Sequence, residues 1–413
     1  MLLALMVGHV AVPWWIVQHG GAPHLALHGF VGAAASVAGM LLLAPLGDRF
    51  PKRRVIGVAL TAYALSALGM AVMASLGLYR IAPIIALVTV NVLVMAVVWP
   101  ASASLVSELV PPAGLSKALG LQQGAQASGR LIGPALGGAV LAVGSTALTL
   151  WLNCLLLLAA AVFALRLPGG TSPPAPPRRD WWRELTDGLR ANWAIPLERY
   201  WTLANALSWM FLFPALTMLV PLKVQSLGLS ALWLGLCEAA VALGMLAGSF
   251  GISEWVVQRF GRYATRVHGA VIQGLALAVA GFTNIPWLMV LCFGLVGLTN
   301  SAMVLVGLTH RTLARPAAFR ARMFAGSAMT SHIAGSFGPA LAGLALAKWP
   351  VHGVYAVFGL LAGGAALALA FVPGFRAFLA LPPEQVEGWY GRQHPEAFPS
   401  LVGSSELSEA QAR

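Results

Sequence analysis

The chain has 413 residues, 59% of them hydrophobic and 9% charged, with a formal net charge of +12. A soluble domain carries about a quarter charged residues, so this composition cannot cover a water-exposed surface. The basic residues lie between apolar runs instead of gathering on one helix or tail, which argues against nucleic acid as a partner.

A backbone in lipid must satisfy its polar groups internally, and the apolar runs here are long and unbroken, not alternating. Crossing a bilayer takes about 20 apolar residues per helix. The expected fold class is therefore an all-α membrane protein with twelve transmembrane helices in two six-helix halves.

In chain order, apolar runs at 1–19, 26–46, 55–76, 82–104, 119–143 and 146–166 predict the first six spans. The first run ends near Gly20, Gly21 and Ala22 as a secretory signal would, but it lacks a basic n-region and reads as a span. No cytoplasmic arm precedes Met1, so the chain is expected to begin further upstream. Residues 168–177 are rich in proline and glycine and read as a linker. Residues 180–193 mix charges with tryptophans at near-helical spacing, which predicts a helix in the headgroup layer. Runs at 199–222, 231–252, 267–283, 287–309, 323–346 and 352–372 predict the second six spans. From Pro373 onward the chain is polar and partly acidic, and this tail is expected to be mobile. The domains are thus 1–167, a linker with an interfacial helix over 168–198, the second half over 199–375, and a tail over 376–413.

Orientation follows from the alternate connections. One set holds Arg49, Lys52, Arg53, Arg54, Lys117, Arg166, Arg178, Arg179, Arg183, Arg190, Arg259, Arg262, Arg266, Arg311, Arg315, Arg320 and Arg322, whereas the other holds Arg80, Lys223 and Lys348. The positive-inside rule places both termini in the cytoplasm and the protein in the cytoplasmic membrane. Cys154, Cys237 and Cys292 fall in three different apolar runs, as small buried hydrophobes would.

The two halves share a pattern. Gly120 and Gly129 are followed by Gly133-Pro134-Ala-Leu-Gly137-Gly138, and Gly326 and Gly335 by Gly338-Pro339-Ala-Leu-Ala-Gly343. Glycines one turn apart let helices approach closely, and a proline permits a kink. A simple packing face is the alternative reading. Between spans two and three lies Ala44-Pro-Leu-Gly47-Asp48-Arg49-Phe-Pro51-Lys52-Arg53-Arg54. One carboxylate among several cations suits a charge-assisted latch between helix ends, with Asp48, Arg49, Lys52 and Arg53 as its gating residues. Alternatively the cluster only holds the loop inside.

That loop is similar to the signature of the major facilitator superfamily, with Ala44 and Pro51 where glycines are usual and with Gln258 replacing the acid in the second-half loop Gln258-Arg259-Phe260-Gly261-Arg262. The fifth-span glycines and Pro134 resemble the family's antiporter motif. Val12-Pro13-Trp14, Trp99-Pro100 through Glu108 to Pro112, and Arg130-Leu-Ile-Gly resemble its siderophore and macrolide exporter branch, over residues 8 to 372. The fourth span lacks the arginine that many proton antiporters carry there. The resemblance implies alternating access between two six-helix halves.

Ionisable residues inside spans are costly and therefore functional candidates. They are Glu238, Arg130, His9 and His332. Arg130 and Glu238 lie at similar depth in the fifth and eighth spans, which face each other in the family, and are expected to pair across the halves and carry the coupling proton. A neutral acid bonded within its own half is the alternative. Asn91, Gln122, Gln126, Asn205, Trp209, Gln273 and Asn300, with His9 and His332, are candidates to line a central cavity.

No nucleotide loop, zinc cluster or nucleophile elbow is present. The expected function is cofactor-free and metal-free secondary transport by a monomer: export of a small amphiphilic molecule in exchange for protons. An importer or lipid-handling facilitator of the same fold is the alternative, and a scaffold or sensor without transport is a third class.

Overall fold

The computed structural model describes residues 1–43, 52–110, 112–166 and 181–398, and every regular element among them is helical. Among the described residues, the expected spans coincide with helical segments. The first two share α1 (Leu2–Leu42), which is broken at Gly21 with φ 60° and ψ −159°, a conformation that only glycine adopts readily. Then come α2 (Lys52–Ser75), α3 (Ile81–Leu109), α4 (Pro112–Val143) and α5 (Thr146–Arg166). After α6 (Trp181–Ala194), the second half holds α7 (Pro196–Thr217), bent into α8 (Leu219–Ser226), and α9 (Ala231–Ala247). It continues with α10 (Ser253–Phe260), α11 (Arg262–Phe282), α12 (Pro286–Ala314), α13 (Arg320–Leu346) and α14 (Val351–Leu367). Among the described residues, eight helices are long and apolar enough to cross a membrane, or nine with α7 and α8 taken as one bent span.

The connections carrying Lys52 to Arg54, Arg166, Arg262 and Arg315 all lie at one end of the bundle, called here the basic end. The turn from α10 to α11 is made at Gly261, φ 81°, another position that needs glycine. Arg53 donates from Nε to the Leu165 carbonyl at 2.8 Å, satisfying an acceptor that the last turn of α5 leaves open. A helix is present near 180–193, as expected, in α6. It docks on α13, where the Asn192 amide donates to the Met323 carbonyl at 2.8 Å, and a Cβ on Gly188 would lie 2.3 Å from the Arg322 carbonyl oxygen.

The segment after Pro373 departs from the mobile tail that its polarity predicts. Through Phe398 it folds over the basic end of the second half, burying Phe375, Phe378, Leu379, Val386, Tyr390 and Phe398 against Trp201, Phe319 and Met323. Trp201 meets Phe375 edge-on at 5.0 Å, and Phe378 stacks on Tyr390 at 5.9 Å. The polarity of this segment is real, but its aromatic residues are grouped on the face that meets the bundle.

Beneath this cover is Glu198, 0% exposed, in the first turn of α7. Arg311 donates to both of its oxygens, with Nε at 3.1 and 3.2 Å and Nη2 at 2.7 Å. Arg315, one turn further along, donates Nε at 3.1 Å to Oε1 and Nη2 to the same oxygen. The Tyr390 hydroxyl donates to Oε2 at 2.8 Å. Burial and the adjacent carboxylate push that hydroxyl well above the ordinary tyrosine range, so it stays a donor. One carboxylate thus fastens the start of α7, the end of α12 and the C-terminal segment. Removing one partner of a buried pair leaves an uncompensated charge, at a cost of about 3–5 kcal/mol. Glu198→Ala should lower the unfolding free energy of the purified protein by that order, and Tyr390→Phe by about 1.5–3 kcal/mol for one bond to a charged group, each read as a lower melting temperature. Unchanged melting of Glu198→Ala would show that the clamp carries no stability.

Candidate functional site

The glycine-and-proline helices each have two working faces. On α4, a Cβ on Gly129 would meet the Leu3 nitrogen at 2.9 Å, one on Gly133 the Met6 Cβ at 2.4 Å, and one on Gly137 the Val7 backbone at 3.3 Å. These three glycines therefore press α4 onto α1 within the first half. Gly138 and Pro134 face the second half instead: a Cβ on Gly138 would lie 2.8 Å from the Ala231 carbonyl oxygen, and one on Gly235 only 2.3 Å from that of Pro134. The repeat on α13 does the same in reverse. Gly335 and Gly338 lie against Trp209 and the Met210 carbonyl of α7, while Gly343 meets Ala26 and Gly29 meets Pro339 across the halves. Both crossings lie toward the end opposite the basic loops. Gly120 also lies in α4.

One turn from the α4–α9 crossing toward the basic end, Glu238 faces His9 across the two halves, with Oε2 and Nδ1 3.5 Å apart. The partner that Glu238 meets between the halves is thus His9, not the Arg130 expected from the sequence. Arg130 is at matching depth on α4, four residues before Pro134 as Glu238 is three after Gly235. Its side chain is exposed, and no ion pair joins it to Glu238 among the described residues. His9, a cavity candidate by its position in a span, lies instead against Glu238 at the interface of the halves.

A cavity of about 390 Å³ opens in the second half between α7, α11, α12 and α13. Five of the expected cavity residues line it: Asn205, Trp209, Gln273, Asn300 and His332. The first-half candidates do not. Asn91 is buried on α3, Gln122 donates to the Ser102 carbonyl at 3.2 Å, and Gln126 is half-buried on α4. Asp48 and Arg49 lie outside the described residues, so of the gating loop only Lys52 and Arg53 are placed, both at the start of α2.

Three arginines of the cavity wall were read in the sequence only as topogenic charges: Arg266, Arg311 and Arg315. Arg266 is 6% exposed. Its Nη2 donates to Asn205 Oδ1 at 2.6 Å and its Nη1 to the Met303 carbonyl at 3.1 Å, and its guanidinium lies 5.7 Å from the Trp201 ring centre. The available signal was the period: Arg262, Arg266 and Gln273 recur on one side of an amphipathic helix.

The chain matches the family model described as Major Facilitator Superfamily over residues 2–272. The chain belongs to that superfamily. Solved transporters similar to this facilitator include the nucleoside transporter NupG, with TM-score 0.67, 14% identity, and 92% of this chain and 100% of that one covered. A D-xylose–proton symporter gives 0.66 at 16% identity over 94% and 97%. An inward-facing bacterial homologue of the human lysosomal transporter Spinster gives 0.62 at 15% over 92% and 95%. No curated protein matches the sequence.

In this superfamily member the α4–α9 crossing admits no side chain at Gly235. Gly235→Leu should leave insertion intact and abolish transport. A cysteine at Ser230, beside the crossing, should then react with a membrane-impermeant maleimide in every condition. Wild-type flux in Gly235→Leu would refute the gating role.

Proposed function

We propose that the protein is a proton-coupled exporter of a small amphiphilic molecule, working by alternating access. The observation that carries this reading is the His9–Glu238 contact, an acid and a base facing each other between the two halves beside the helix crossing that seals one end. An intramembrane ionisable pair is costly unless it has work to do. The positive-inside rule makes the basic end cytoplasmic, so in this reading the glycine crossings close the outer side.

The coupling follows from charge. Ionised Glu238 and protonated His9 attract across the interface and add to the close packing at Gly138 and Gly235. A proton arriving from outside neutralises Glu238, removes the attraction, and lets the halves part or reclose. Arg130, one turn from Pro134 on the facing helix, is the second partner for Glu238 once His9 has withdrawn. The glycine pattern of α4, similar to the antiporter motif, supports exchange in preference to symport. The gating loop at Asp48, Arg49, Lys52 and Arg53 would latch the cytoplasmic ends in the opposite conformation.

Glu238→Gln reconstituted in proteoliposomes should lose pH-gradient-driven flux to the background of empty vesicles while retaining gradient-free exchange of substrate across the membrane. His9→Ala should weaken coupling less, because Arg130 remains. Full gradient-driven flux in Glu238→Gln would end the coupling assignment, and accumulation on the side to which protons flow would make the protein an importer.

A further inference from the structure

We infer that the second-half cavity is a seat for the anionic group, carboxylate or phosphate, of an organic substrate with an apolar body, centred on Arg266. Three guanidinium groups, Arg266, Arg311 and Arg315, line this cavity. Only one carboxylate, Glu198, is paired with them among the described residues, and its two oxygens are already occupied by Arg311, Arg315 and Tyr390. Arg266 is left with neutral acceptors alone, the Asn205 amide oxygen and the Met303 carbonyl. A buried charge is rarely left on neutral partners unless a ligand or water reaches it.

Unused donors point the same way. The Arg266 Nε and the Gln273 Nε2 are buried without a hydrogen-bond partner, on side chains 6% and 1% exposed, and both residues line the cavity. Buried donors without partners are uncommon in a settled core, whereas an anion has the lone pairs to accept from a guanidinium fork and an amide together. The Asn205 oxygen, 2.6 Å from Nη2, holds the place that an anionic oxygen would take. Trp209 and Phe324 supply an aromatic wall for the apolar remainder. The inference rests on the transport reading only in taking the cavity for a substrate site; the positive seat itself is independent of which ion drives transport.

The test uses the full-length protein in phosphatidylcholine nanodiscs and a matched series, 2-naphthylacetate, 2-naphthylacetamide and 2-naphthylethylammonium, followed by quenching of tryptophan fluorescence. The acid should bind about tenfold or more tightly than the amide, the difference expected for a charge-assisted bond over a neutral one, and the ammonium should bind least. Arg266→Gln should erase the preference for the acid, and Arg266→Lys should keep part of it. Asn205→Asp supplies Arg266 with a fixed carboxylate, so it should keep or raise the melting temperature while abolishing the preference, which covers the case in which Arg266→Gln fails to fold. Equal affinity for acid and amide in the wild type, or an acid preference that survives Asn205→Asp, would overturn the seat. Adding phosphatidylglycerol separates the sources of the anion: unchanged naphthylacetate affinity supports a soluble organic anion, and competition supports a lipid headgroup in the same seat. Because no gradient is present, failure here leaves the Glu238 coupling assignment standing, and failure of coupling leaves the seat standing.

Discussion

Backbone-to-backbone contact between helices from opposite halves is the constraint on which the rest of this structure depends. Between apolar helices in lipid the hydrophobic effect gives no net attraction, so their association relies on van der Waals packing and interhelical hydrogen bonds, and small residues allow the closest approach. Gly138 against Gly235 and Gly343 against Ala26 bring the halves together at one end, while Gly129, Gly133 and Gly137 hold α4 to its own half. One helix therefore has a permanent face and an exchangeable face.

Charge is distributed according to the same logic. Where the structure must hold still, at the basic end of the second half, Glu198 is fully buried and saturated by two arginines and a tyrosine. At the crossing between the halves, Glu238 has a single histidine at 3.5 Å and keeps some access to water. A saturated buried ion pair is expensive to break, and one held by a single titratable partner is cheap to release. The contrast between the two carboxylates follows from the number of donors each receives and from how far each is desolvated.

Arg266 stands between these cases. It is as buried as the clamp residues but is held by neutral acceptors, and it lies on the cavity wall one turn inside the basic end. The clamp uses up the local negative charge, so the cavity beside it is left positive. The C-terminal segment contributes to that field: by covering Glu198 it excludes water from the clamp and strengthens the electrostatics of the adjoining wall. A tail expected from its polarity to be mobile thus covers the clamp beside the cavity.

By itself the sequence determined the all-helical membrane class and the repeat shared by α4 and α13, and it singled out Asn205, Trp209, Gln273, Asn300 and His332, which line the second-half cavity. All of these depend on local properties: hydropathy over about twenty residues, glycine spacing along one helix, and the cost of a polar residue in lipid. Depth along a helix was also legible, since it accumulates at a fixed rise per residue, which is why Glu238 and Arg130 come out at the same level. Only the tertiary structure decided which side chains meet, because azimuth around each helix axis and the lateral arrangement of helices are set by packing among distant segments. That is how His9, from the first helix, became the partner of Glu238, and how Arg311 and Arg315, indistinguishable in sequence from loop charges that fix topology, converged on Glu198. It is also why a polar tail packed tightly: Phe375, Phe378 and Tyr390 find their apolar surface on helices more than fifty residues away, and no pattern within the tail encodes that surface.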